Sequence, residues 1–154
     1  MNRLLFFLFL LFFCIKTDAE IQQDTIGTLG FYIVLDIPKD NIKKVLNYEE
    51  GIFYDFIIPQ DTSVITIHCG AMVDLPLIRG KKVLSCQLIN GILKDESGIY
   101  EKDGKLHYCR EINIFPYDIN ITYDIVGSTF KRKYDLIFDN IKVEKIKSCV
   151  KDSQ

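Results

Sequence analysis

Tryptophan is absent and histidine is scarce, at two of 154 residues. With His68 and His107 as the only imidazoles, a multi-histidine metal centre is not available. An excess of either charge sign is also lacking: 19 Lys+Arg face 21 Asp+Glu, a formal net charge of −2. Nucleic-acid binders normally carry a basic surplus, so no nucleic-acid partner is expected. The longest apolar run, Leu4–Ile15, falls short of the ~20 residues of a transmembrane helix. Internal repeats, low-complexity tracts and Pro/Gly/Ser linkers are missing, which points to one domain. No G-x-S-x-G, H-E-x-x-H or phosphate-cradling glycine loop occurs, so the chain is expected to be non-enzymatic, with no cofactor and no bound metal.

What is present begins with a leader. Met1–Ala19 (MNRLLFFLFLLFFCIKTDA) joins a positive Arg3 to the apolar run and ends at small Ala19, the pattern of a secretory signal peptide. The expected domain is then residues 20–154, secreted and extracellular. Cys14 falls within the leader. Cys69, Cys86, Cys109 and Cys149 remain, and in an oxidising compartment four cysteines read as two disulfides. Three pairings are possible and spacing does not choose among them.

Short β runs dominate the remainder. Phe31–Ile37, Ile52–Ile58, Val64–Cys69 and Val83–Ile89 are aromatic or β-branched and end near Pro, Gly or Asn. Asn90-Gly91 and Asp103-Gly104 are hairpin signals. Asp118–Val126 alternates cleanly, with Ile119, Ile121, Tyr123 and Ile125 on one face and Asp118, Asn120, Thr122 and Asp124 on the other. Lys133–Ile141 and Val143–Cys149 are expected as closing strands. Asp40–Asn47 is expected as a short helix. The pattern predicts an all-β sandwich or barrel.

Candidate sites are few. Asn120-Ile121-Thr122 is an N-glycosylation acceptor, and the alternation puts Asn120 on the polar face. His68-Cys69 and His107-Tyr108-Cys109 pair imidazoles with thiols, but the close Cys spacing of structural zinc sites is absent. Paired cysteines would leave no thiol for nucleophilic catalysis. The cluster Lys131-Arg132-Lys133 is a candidate anionic-lipid or glycan patch, or simply a solvated face. Lys94–Lys105 is irregular and charged, and is expected as a presented loop.

Three segments, in order, resemble the nematode transthyretin-like family. Ile26-Gly27-Thr28-Leu29-Gly30-Phe31-Tyr32-Ile33 is similar to its opening strand. Cys109-Arg110-Glu111-Ile112-Asn113-Ile114-Phe115-Pro116 is similar to its Cys, basic residue, alternating strand and Pro. Tyr123 through Asp135, with Gly127, Lys133 and Tyr134, is similar to its Tyr…Gly…Lys-x-Tyr-Asp stretch. Val34 stands where the family has a Cys. The resemblance implies a transthyretin-like, immunoglobulin-like antiparallel β-sandwich that binds or signals outside the cell. Its partner would be a small apolar ligand, a lipid or a cell-surface protein. The alternatives are a disulfide-stapled structural or inhibitory module and a hydrolase on the same fold. The hydrolase would need His68 beside Arg110 and a Tyr-Arg-Gly-Ser tail, whereas the chain ends Lys151-Asp152-Ser153-Gln154.

Overall fold

A computed structural model describes residues 20–145, apart from 29, 71–77, 79 and 116. Residues 1–19, expected as a leader, and Cys149 lie outside the described residues. Ten strands and one helix are described: β1 (Ile21–Gly27), β2 (Phe31–Pro38), β3 (Ile42–Tyr48), β4 (Gly51–Ile58), β5 (Ser63–Gly70), β6 (Lys82–Ile89), β7 (Leu93–Lys102), β8 (Lys105–Ile114), β9 (Ile119–Val126), α1 (Lys131–Asp139) and β10 (Lys142–Lys145). They form two antiparallel sheets, β1-β2-β10 and β3-β4-β5-β9-β8-β7-β6. The chain is an all-β sandwich with one helix added to the smaller layer.

Local chemistry explains the turns. Asn90 and Gly91 sit at φ 52° and 71°, and Asp103 and Gly104 at 53° and 68°. Two successive positive φ values make the type I′ turn that matches strand twist, and Asn/Asp-Gly is its preferred pair. These turns close the β6–β7 and β7–β8 hairpins. Lys94–Lys105 is therefore not a loop. It is most of β7, its turn and the first residue of β8.

Period-two alternation builds the core. Phe56, Ile65, Ile67, Ile112, Ile114 and the β9 set Ile119, Ile121, Tyr123 and Ile125 share one face of the large sheet. Ile26 of β1, Ile33, Leu35 and Ile37 of β2, and Tyr134, Ile137 and Phe138 of α1 cover that face. Each buried Ile or Leu stabilises the fold by roughly 1.5–3 kcal/mol relative to exposure.

Three elements differ from the sequence expectation. Residues 131–139 are helix rather than strand, because Tyr134, Ile137 and Phe138 fall at the i, i+3, i+4 spacing of one helical stripe. The aromatic and β-branched content hid that period. Residues 42–48 are an edge strand rather than a helix, every side chain exposed, recruited by pairing along β4. Ile26–Ile33 is not one strand. It ends β1, turns through Thr28 and Gly30, and begins β2, with the Thr28 N–H donating to Phe31 O at 2.8 Å.

Two disulfides among the four cysteines would require at least one bridge within Cys69, Cys86 and Cys109, and no bridge is formed among these three described cysteines, while Cys149 lies outside the described residues. The strand order supplies the reason. Cys69 on β5 and Cys109 on β8 are separated by β9, and Cys109 and Cys86 on β6 are separated by β7. At about 4.8 Å per strand these gaps are ~10 Å or more. A disulfide needs Cα atoms roughly 4.4–6.8 Å apart.

Candidate functional site

The large sheet projects past the smaller layer along β8, β7 and β6. Register places three cross-strand rows on the projecting core face. Ile114, Leu93 and Ile89 make an apolar row. Ile112, Asp95 and Gln87 make a mixed one. Arg110, Ser97 and Ser85 make a polar one. The face grades from apolar to polar over about 14 Å, since each row is two residues from the next. The C-terminal end of α1 and β10 roof the apolar end through Phe138, Ile141 and Val143, while Lys131 and Asp135 roof the polar end.

Between sheet and roof lies a cavity of about 530 Å³, lined mainly by apolar side chains that include Phe31, Ile112, Ile114, Phe138 and Val143. That volume falls within the roughly 300–1,000 Å³ of small-molecule pockets. Phe31 and Tyr117 pack in a tilted arrangement at one end, with ring centroids 4.0 Å apart and planes 52° apart. A second, polar cavity of about 320 Å³ adjoins it and shares Gln87, Asp95, Arg110 and Asp139.

Arg110 organises the junction. Its Nε and Nη2 donate to the two Asp95 carboxylate oxygens at 2.9 and 2.7 Å. Its Nη1 donates to Asp139 Oδ1 at 2.8 Å and to the Asp135 carbonyl at 3.3 Å. The bidentate bond to Asp95 chiefly, with Asp139 adding to it against burial, raises the guanidinium pKa further above its ordinary value. Asp135 accepts from the Tyr123 hydroxyl at 2.6 Å and pairs with Lys131. Ser85 and Ser97 hydroxyls meet at 2.7 Å. No sequence motif marked this site, but the alternation of β7 and β8 around Arg110 held the signal.

The opposite face of the large sheet is polar yet covered near its middle. Glu111 is fully buried, with Lys81 paired to it and the Ile78 N–H donating to it at 3.0 Å. Lys81 also meets Glu96 at 2.9 Å, and Lys94 meets Glu96 at 2.8 Å. The expected glycosylation acceptor, Asn120, lies on this covered face. It is 1% exposed on a central strand. Its Nδ2, the atom a glycan would occupy, donates to Asn113 Oδ1 at 2.7 Å.

The remaining candidates separate. His68 sits on the polar face of β5 opposite Asn120, while Arg110 sits on the core face of β8, so the hydrolase pairing is not formed. Burial lowers the His68 pKa, with Asp118 opposing it. His107 Nδ1 lies 3.0 Å from Asp124 Oδ1, and Tyr100 donates to the same carboxylate. Cys109 is on this face too, but burial pushes its thiol up to about 11, away from the thiolate a nucleophile needs. Cys69, packed against the core, is likewise pushed up to about 11 by burial. No group of three or more His, Cys, Asp or Glu side chains is arranged to hold a metal among the described residues. In the basic cluster, Lys131 pairs with Asp135 and Lys133 with Asp61, so two of the three charges are locally neutralised. No helix among the described residues is long and apolar enough to cross a membrane.

Comparison with known proteins finds no matching family model and no matching curated protein. The crystal structure of LpqN, involved in cell envelope biogenesis of Mycobacterium tuberculosis, resembles this chain at 18% identity and a TM-score of 0.41. The match covers 83% of this chain and 94% of that one.

Proposed function

We propose that this protein is a secreted, non-enzymatic binding protein that holds a small apolar or amphiphilic molecule between its two layers. The observation that carries the reading is the cavity of about 530 Å³ opening where β6–β8 outreach the smaller layer. Its apolar lining supplies affinity by removing ligand surface from water, and the rigid sheet holds the space open before binding. The leader at Met1–Ala19 and the transthyretin-like resemblance support an extracellular setting, where a lipid or a cell-surface partner would be met.

The test is direct. The full chain is produced in a eukaryotic secretion host and recovered from the medium, and bound small molecules are extracted and weighed by mass spectrometry. An apolar or amphiphilic compound is expected to leave with wild type and not with Leu93→Trp, whose indole fills the cavity. Retention of the chain inside the cell, or equal yields from both proteins, overturns the reading.

A further inference from the structure

We infer that the molecule held here is an amphiphile with an uncharged, hydroxyl-rich headgroup, its chain along the apolar row and its head beside Ser85, Ser97 and Arg110. This rests on the cleft being a ligand site, as proposed above, and names the chemistry of what enters it. The two cavities adjoin but differ in lining. One is lined mainly by apolar groups, and the other, of about 320 Å³, is lined only by polar and charged side chains. A ligand spanning both must change polarity along its length, as the three rows do.

Charge selects the head. The polar compartment holds Asp95, Asp135 and Asp139 against Arg110 and Lys131. Both cations are already committed. Arg110 uses four N–H donors on Asp95, Asp139 and the Asp135 carbonyl, and Lys131 is paired with Asp135. A phosphate or carboxylate head would meet a surplus negative charge and could gain a cation only by breaking one of these pairs. A cationic head would meet one surplus negative charge spread over three carboxylates that are already hydrogen-bonded to Arg110, Lys131 or Tyr123, and no aromatic face lines this compartment to receive an onium group. What stays available is the Ser85–Ser97 hydroxyl pair, the Gln87 amide and spare carboxylate lone pairs. Hydroxyl groups, each both donor and acceptor, satisfy that set without moving a charge.

Three probes with the same tail separate the possibilities: octyl glucoside, octyl phosphate and octyltrimethylammonium. Each is titrated calorimetrically into the full chain below its micelle-forming concentration. Octyl glucoside is expected to bind about tenfold or more tighter than either charged probe, a difference of roughly 1.4 kcal/mol or more. The double variant Ser85→Ala, Ser97→Ala is expected to lose most of that preference while retaining its circular dichroism. Asp139→Asn, at an exposed position, is expected to narrow the gap between glucoside and phosphate. Equal binding of all three probes, or tighter binding of a charged one, overturns the headgroup inference and leaves the cavity as an apolar site. Absence of binding by all three overturns the cleft reading itself.

Discussion

Asp61 shows how one residue ties distant elements together. Its side chain is fully buried in the β4–β5 turn, accepting from the Tyr134 hydroxyl at 2.7 Å and the Ser63 N–H at 3.0 Å, with Lys133 at 3.3 Å. Burial alone would raise its pKa, but the Tyr134 and Ser63 bonds and the Lys133 charge overcome it and hold the carboxyl below its ordinary 3.8. Glu96 behaves alike: burial raises it, and Lys94 and Lys81 more than compensate, leaving it below 4.5. A carboxylate whose folded pKa is depressed contributes stability that is fully present above the unfolded value and lost as pH falls through the folded one. Thermal unfolding should therefore be flat from about pH 7 to about 5 and drop below about pH 4. Asp61→Ala should cost about 1–3 kcal/mol at neutral pH by leaving Tyr134 and Ser63 unpaired, and should flatten the acid limb. Denaturant melts at neutral and acid pH check this.

Accessibility divides the thiols at the same scale. Cys86 is exposed, Cys109 is buried and Cys69 is packed against the core. Iodoacetamide applied to the native protein should modify Cys86 within minutes. Cys69 and Cys109 should react only after denaturation, because burial also keeps them protonated. Peptide mass mapping reads the difference. Asn120 belongs here too: treating protein produced in a eukaryotic host with an N-glycosidase should leave its mass unchanged, since the one acceptor triplet is interior.

Elements are held by turns and by stripes. A methyl group added at Gly91 would enter open space, so only the backbone conformation at φ 71° resists substitution there. Gly91→Val should cost about 1–2 kcal/mol through strain alone, and Asn90→Gly should be tolerated. Ile137→Ala on α1 should cost about 2–4 kcal/mol by leaving a void against the sheet. Both are measurable as shifts in denaturation midpoint. The helix has its three-four spacing in the sequence, yet the aromatic and β-branched content of 133–141 reads as a strand, and packing on the sheet decides it. The edge strand β3 was not legible either, because nothing in 42–48 resembles a buried strand: its place is decided by β4, which offers it a row of backbone partners.

At the scale of the molecule, the unequal widths of the two layers create the cleft. Seven strands lie against three, and the helix covers only part of the difference. The overhang leaves Ile89 and Ile92 at the β6–β7 turn 42% and 46% exposed, beside the open cavity. Filling that space with Leu93→Trp should raise thermal stability of the unliganded protein or leave it unchanged, while bound small molecules are lost. A stable protein that still carries its ligand would show that the cleft is not where binding occurs.

By itself the sequence determined the strand-rich class, most strand positions and the two type I′ turns. These depend on short-range physics: the period of side-chain alternation and the φ values that Asn-Gly and Asp-Gly adopt without strain. Only the tertiary structure decided which polar face is covered, that Asn120 is interior, that no two of Cys69, Cys86 and Cys109 stand on neighbouring strands, and that Arg110 gathers three aspartates at the mouth of a cavity. Strand order and layer width are set by contacts between residues far apart in the chain, and alternation along any one strand records its two faces without saying what will lie against them.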